Sequence, residues 1–222
     1  MSMKIVCGLS AGALALAVAT SHAQPADKFY VAADGGAAFQ EQTSIRNGNS
    51  FASAGDVKFN TGFRSGLVLG YSWCRSFATE LDASVVRNSI NTIGGDNLSA
   101  FGARADLTEI PLLANAIYTV PIKGPWKPFI GFGLGAAISR FDSANIPLSY
   151  YSGGDPHYRD TDVPFAYQAV VGVKYSVLKS VDLGIAYKFI GTTGHSWNDN
   201  NITFQTEGTM THSILATVTW RF

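Results

Sequence analysis

The chain is nearly without cysteine. Only Cys7 and Cys74 occur in 222 residues, and Cys7 lies in an N-terminal stretch that reads as removable. One remaining thiol cannot close an internal disulfide, so the disulfide-stapled secreted folds are excluded. Charge is scarce as well. Asp, Glu, Lys and Arg make up 14% of the residues, against about 25% in ordinary soluble domains. Sixteen basic and sixteen acidic residues cancel, so no excess of either sign points to nucleic acid or to an acidic substrate. Beyond the N-terminus no apolar run reaches the roughly 18 residues of a transmembrane helix.

The N-terminal stretch begins with Lys4, continues as an apolar run from Ile5 to Val18, and ends in Ser21-His22-Ala23. A positive start, a short apolar run and a small-x-small site make a secretory signal, with cleavage expected at Ala23/Gln24. Cys7 lies near the start of the apolar run instead of following it, which does not fit a lipoprotein anchor. The expected organisation is a signal peptide over 1–23 and one domain over 24–222.

Hydrophobic residues reach 46%, aromatics 12%, and glycine occurs 23 times. Along the mature chain apolar residues recur at every second position. Segments of this kind lie near 28–40, 57–73, 77–87, 108–120, 126–139, 163–177, 181–190 and 211–222. In the seventh, Val181, Leu183, Ile185, Tyr187 and Phe189 share one face, and Asp182, Gly184, Ala186 and Lys188 share the other. In the fifth, Ile130, Phe132, Leu134, Ala136 and Ile138 alternate with Gly131, Gly133, Gly135 and Ala137. Such alternation marks β-strands with two unlike faces.

Three features separate a membrane barrel from a soluble sandwich. The segments exceed the five or six residues typical of soluble strands, and suit the roughly 9–11 of a tilted membrane strand. The connections alternate strictly: short turns at 74–76, 121–125 and 178–180, long loops at about 41–56, 88–107, 140–162 and 191–210. Short inner turns and long outer loops characterise outer-membrane barrels. The aromatics fall in two bands. Phe29, Tyr71, Trp73, Phe77, Tyr118, Trp126, Tyr175, Trp220 and Phe222 lie near the short turns and termini; Phe39, Phe59, Phe63, Phe141, Phe165 and Phe189 lie towards the long loops. The expected fold is all-β: an eight-stranded antiparallel transmembrane barrel, an up-and-down meander. Closure is obligatory, because an open edge would leave backbone groups unpaired in lipid.

Ten charges fall on the inward faces. Asp34, Glu80, Asp82, Glu109 and Asp182 stand against Lys58, Arg64, Lys174, Lys188 and Arg221. A buried charge is tolerable only when paired, so these are expected to form a polar network in the lumen.

The chain ends Thr219-Trp220-Arg221-Phe222, which resembles the assembly signal of outer-membrane barrels. Residues 110–118, Ile-Pro-Leu-Leu-Ala-Asn-Ala-Ile-Tyr, with the stretch Lys127-Pro128-Phe129-Ile130-Gly131-Phe132-Gly133-Leu134-Gly135, resemble the central hairpin of the opacity-type small barrels, a group of bacterial surface antigens and porin-like proteins. The resemblance implies a barrel scaffold in a bacterial outer membrane, with variable loops. It also implies contact with outer-membrane lipid and lipopolysaccharide, and with the barrel-assembly machinery through the strand ending in Phe222. It implies an activity only weakly.

No motif marks a catalytic, cofactor or metal site. Gly131, Gly133 and Ala136 match a dinucleotide-binding pattern, but the run continues as strand and no helix follows. His195-Ser196 invites comparison with lipid A deacylases, with Glu207 or Asp199 as the orienting acid. Adjacent strand residues point to opposite faces, however, so the pair meets only in a turn. Asp155, His157, Asp160 and Asp162 cluster without a calcium-loop pattern, and His212 reads as structural. Tyr150, Tyr151, Tyr158, Phe51, Phe101 and Trp197 stand among Ser, Asn and Gly in the long loops, a composition suited to adaptable contact. Asn97-Leu98-Ser99 and Asn201-Ile202-Thr203 match a glycosylation triplet that bacterial export does not use. Cys74 is placed at an inner turn as a half-buried thiol. The leading functional expectation is a non-enzymatic surface barrel that supports the envelope or binds an extracellular ligand through its loops. A narrow channel for small polar solutes and a lipid A-modifying enzyme are the alternatives.

Overall fold

The computed structural model describes residues 28–48, 56–93, 96–97, 104–144, 157–199 and 202–222. The signal segment 1–23 lies outside them, as do Phe51, Phe101, Tyr150, Tyr151 and Asp155.

Eight strands form a closed wall: β1 (Phe29–Gln40), β4 (Gly62–Ser72), β5 (Phe77–Ile93), β7 (Arg104–Thr119), β8 (Trp126–Ala144), β10 (Phe165–Ser176), β11 (Val181–Thr192) and β14 (Met210–Arg221). Each pairs antiparallel with the next, and β1 pairs with β14 to close the ring, Tyr30 opposite Arg221 and Gln40 opposite Thr211. The short turns lie at 73–76, 120–125 and 177–180. Gly124 has a φ of 108°, a left-handed conformation that side chains resist.

The faces are inverted relative to a soluble protein. Leu69, Leu81, Ile185 and Ile214 point outward and are largely exposed, as a lipid-facing wall requires. The inner band and most of the outer band fall on this outer face; Phe141, opposite buried Leu107, and Phe59, opposite buried Ile90, take the inner side of their strands instead. In the inner band Tyr71 packs edge-on against Phe29 and Trp73, each at 4.9 Å, and Trp126 against Tyr175 at 4.8 Å. In the outer band Phe189 lies 5.2 Å from the His212 ring, whose Nε2 is 2.7 Å from Glu41 Oε1.

The strands continue beyond the point where alternation fades. Strand β5 reaches Ile93, β7 starts at Arg104 and β8 runs to Ala144. Six further strands stand above the membrane band: β2 (Thr43–Gly48), β3 (Asp56–Phe59), β6 (Asp96–Asn97), β9 (His157–Asp162), β12 (His195–Asp199) and β13 (Ile202–Thr206). The expected outer loops therefore hold a crown of paired strands at their described residues. The order β12–β13–β2–β3–β5 extends the wall on one side and β9 extends β8 on the other. Pairing persists there because it satisfies backbone groups whether or not one face is buried.

The second expected strand is broken. It divides at Asn60–Thr61, and the register shifts between Lys58 and Phe59. An irregularity of this kind resets which face each residue takes. Lys58, expected inside, is exposed on β3 outside the lumen.

Candidate functional site

The lumen is filled in layers. Nearest the short turns, Asp182 accepts hydrogen bonds from Ser176 Oγ at 2.7 Å and Lys127 Nζ at 3.2 Å, and also pairs with Arg221. Above it lies an apolar layer of Tyr30, Ala78, Ile117, Phe129, Val170 and Ala186. Tyr30 donates its hydroxyl to Glu80 at 2.7 Å. Lys174 places its ammonium over the Tyr30 and Phe129 rings, at 5.4 and 4.8 Å.

The third layer is ionic. Lys188 Nζ lies 2.7 Å from Asp34 and 2.6 Å from Asp82. Arg64 Nη2 reaches Asp82 at 3.2 Å and Gln168 Oε1 at 3.0 Å, while Gln168 Nε2 donates to Asn115 at 3.1 Å. Two cations face two carboxylates, so the layer is neutral, and Arg64 is wholly buried at 0% exposure. A second apolar layer, Leu113, Ala137, Ala166 and Ile190, covers it. The alternating glycines make room for this filling: a Cβ on Gly133 would overlap Asn115 Oδ1, and one on Gly70 would overlap the Tyr30 ring.

The fifth layer belongs to the crown. Buried Glu109 accepts from Thr209 Oγ1 at 2.7 Å. Thr209 Oγ1 is 2.9 Å from Thr192 Oγ1, which is 3.2 Å from His195 Nε2, and His195 Nδ1 is 3.6 Å from Asp162. The chain of contacts joins β7, Thr209 just ahead of β14, β11, β12 and β9 in one polar row. Burial pushes the His195 imidazole below its ordinary range, and the Asp162 carboxylate opposes that shift in part.

Of the ten expected inward charges, nine line the lumen or its mouths, and Lys58 does not. Lys127, Gln168, Asn115 and Thr209 were not expected in the network. Lys127 sits beside Pro128 at a strand start, and neutral amides carry no charge pattern to read. His195 and Ser196 are consecutive on β12: the first is buried and the second exposed. Ser196 donates its backbone N–H to Asp162 Oδ2 at 3.1 Å. A carboxylate beside His195 is that of Asp162, and the side chain of Asp199 lies outside the described residues. The hydroxyl beside it belongs to Thr192, buried and receiving Thr209 N–H at 2.9 Å, so the row lacks a hydroxyl presented for attack. Asp160 accepts from Thr161 N–H at 2.7 Å, and no group of three metal-ligating side chains occurs among the described residues. Tyr158 and Trp197 fall on crown strands β9 and β12. Cys74 is half-buried in the turn between β4 and β5.

Known proteins share this fold. PagN, an outer membrane protein of Salmonella typhimurium, is 24% identical over 149 residues, 63% of this chain and 61% of PagN, so the match spans about three fifths of that relative. The outer membrane protein OprG from Pseudomonas aeruginosa superposes with a TM-score of 0.61 at 14% identity, covering 88% of this chain and 97% of OprG. Neisserial surface protein A superposes with a TM-score of 0.52 at 19% identity, covering 87% and 97%. At these identities the structural likeness shows the fold. The outer membrane protein beta-barrel domain profile matches residues 11–222. The chain belongs to that family, and it is an integral barrel of a bacterial outer membrane.

Proposed function

We propose that the protein is a non-enzymatic surface barrel, in which a sealed lumen makes the wall a rigid scaffold and the crown above the membrane is the contact surface. The carrying observation is the neutral ionic layer enclosed between two apolar layers, with Arg64 fully buried in it. Water crossing such a stack would have to part the ion pairs of Lys188 and Arg64 and displace the apolar side chains on either side. Binding residues commonly sit on loops held by a rigid scaffold, and here the supporting crown is itself hydrogen-bonded strand. The test compares the whole barrel with one in which 41–61, 94–103, 145–164 and 193–208 are all replaced by short turns, on arrays of glycans and extracellular-matrix proteins. Binding should disappear with the crown while the trimmed barrel stays folded. Binding retained by the trimmed barrel would contradict the proposal.

The separation of His195 from Ser196 weighs against the lipid A-modifying alternative. An unchanged lipid A mass spectrum in cells overexpressing the protein is expected. Strand β14 closes the ring by pairing with β1, and its terminal Phe222 is read as the contact for the assembly machinery. Deleting Phe222 should lower the amount of folded protein in the outer membrane without altering its expression.

A further inference from the structure

The lumen mouth at the short turns, the periplasmic side of such a barrel, carries more cations than carboxylates. Lys127, Lys174 and Arg221 stand there with Glu80 and Asp182. The ionic layer above cannot absorb the surplus, because Arg64 and Lys188 are already matched by Asp34 and Asp82. Lys127 and Arg221 share the one carboxylate of Asp182. Among the described residues Lys174 makes no ion pair, and its ammonium rests on the faces of the Tyr30 and Phe129 rings. It lies directly opposite Lys127 in the β8–β10 register, and like charges so placed repel.

The same level holds an unused donor. Thr219 is 3% exposed, and its hydroxyl has no hydrogen-bond partner among the described residues. It faces inward on β14, opposite Asp182 on β11. Lys127, Lys174, Asp182 and Thr219 each lie within two residues of the inner end of their strand, so they share one height in the wall. A buried hydroxyl without a partner is costly. The unpaired ammonium and the unpaired hydroxyl both suit an acceptor that carries negative charge.

The mouth is a cup closed from above by Tyr30, Ile117, Phe129 and Val170. Its rim is open: the side chains of Lys127 and Arg221 are 33% and 19% exposed. The strand wall separates it from the bilayer, so an occupant enters from water. Glu80 sets a condition on that occupant. The Tyr30 hydroxyl donates to Glu80 at 2.7 Å, while the face of the same ring lies under Lys174. A fully deprotonated oxyanion such as sulfate meets Glu80 as a like charge. Inorganic phosphate keeps a proton at neutral pH. It can donate that proton to the carboxylate while its other oxygens accept from the cations.

We propose that the periplasmic mouth binds inorganic phosphate. Lys174 and Lys127 supply the charge, the Thr219 hydroxyl donates to a phosphate oxygen, and Glu80 accepts the hydrogen bond from the phosphate proton. A phospholipid phosphodiester lacks that proton and lies outside the wall.

Titration calorimetry of the folded barrel in octyl glucoside tests this, with inorganic phosphate, sulfate and chloride compared at neutral pH and equal ionic strength. Phosphate should bind saturably at one site, about tenfold more tightly than sulfate. Lys174→Met keeps the apolar stem on the two rings and should weaken phosphate by about tenfold. Thr219→Val should weaken it by about fivefold. Glu80→Gln still accepts from Tyr30 and should leave phosphate and sulfate bound alike, a loss of discrimination that a merely structural role would not produce. Lys123→Gln, exposed in the β7–β8 turn, should change neither. Folding of each variant is read from heat-modifiable gel mobility. Phosphatidylglycerol added to the micelles supplies the lipid form of the phosphate and should not compete. Absence of saturable phosphate binding, equal affinity of the native barrel for phosphate and sulfate, binding unmoved by Lys174→Met, or displacement of phosphate by phosphatidylglycerol would overturn the proposal.

Discussion

At the scale of single residues, the lumen shows how a nearly charge-poor chain uses the charges it has. Lys188 serves both Asp34 and Asp82. Replacing it with Met would leave two buried carboxylates facing only Arg64. Removing one partner of a buried pair costs about 3–5 kcal/mol, and unfolding of Lys188→Met by urea in lipid vesicles should show a loss of that order. A loss below about 1 kcal/mol, the scale of exposed pairs, would mean that the layer is hydrated. His195 makes a different prediction. Its folded-state affinity for a proton is lowered by burial, so the unfolded crown binds the proton more readily. Stability of the crown is then complete above the ordinary imidazole value of about 6.5 and falls as the pH drops below it. Protection factors of the β12 and β13 amides, taken relative to intrinsic exchange at each pH, should fall in acid, and His195→Gln should flatten that dependence.

At the scale of elements, the wall strands were legible because lipid makes the rule simple: apolar outward, polar or small inward, at every second residue. Strand β11 follows it from Val181 to Phe189. Ile185, outward and 63% exposed, should therefore resist charge. Ile185→Arg should cost about 2–4 kcal/mol near the bilayer midplane, whereas Thr193→Arg, exposed above the outer aromatic band, should stay within about 0.5 kcal/mol. Equal costs at the two sites would misplace the membrane band. The crown was not legible in the same way. Its strands are short and do not separate lipid from lumen: Thr43–Gly48 holds one large apolar residue, Ile45, and Ile202–Thr206 alternates over only a few positions, too few to mark a strand. Lys58 was misread because the break at Asn60 and the register shift beside it interrupt the period that had placed Arg64 correctly. The polar row from Glu109 to Asp162 was invisible for another reason: its five residues come from four strands and the connection ahead of β14, and only closure of the ring brings them together.

At the scale of the whole molecule, the layers act together. An ionic layer alone could line a water path, as charges do in wide barrels. Enclosed between Tyr30, Ile117 and Phe129 below and Leu113 and Ile190 above, it acts as a seal in the function proposed above. Arg64→Ala with Leu113→Ala should open the stack at two successive levels and give conductance where the native barrel has none. The seal shifts the search for function to the crown and to the periplasmic mouth.

The most direct measurement is single-channel recording of the native barrel in a planar lipid bilayer, with folding and insertion shown on the same sample. A silent bilayer is predicted, with current appearing only in the Arg64→Ala, Leu113→Ala protein. A steady, salt-dependent conductance from the native barrel would contradict the sealed lumen and make a channel for small polar solutes the better reading.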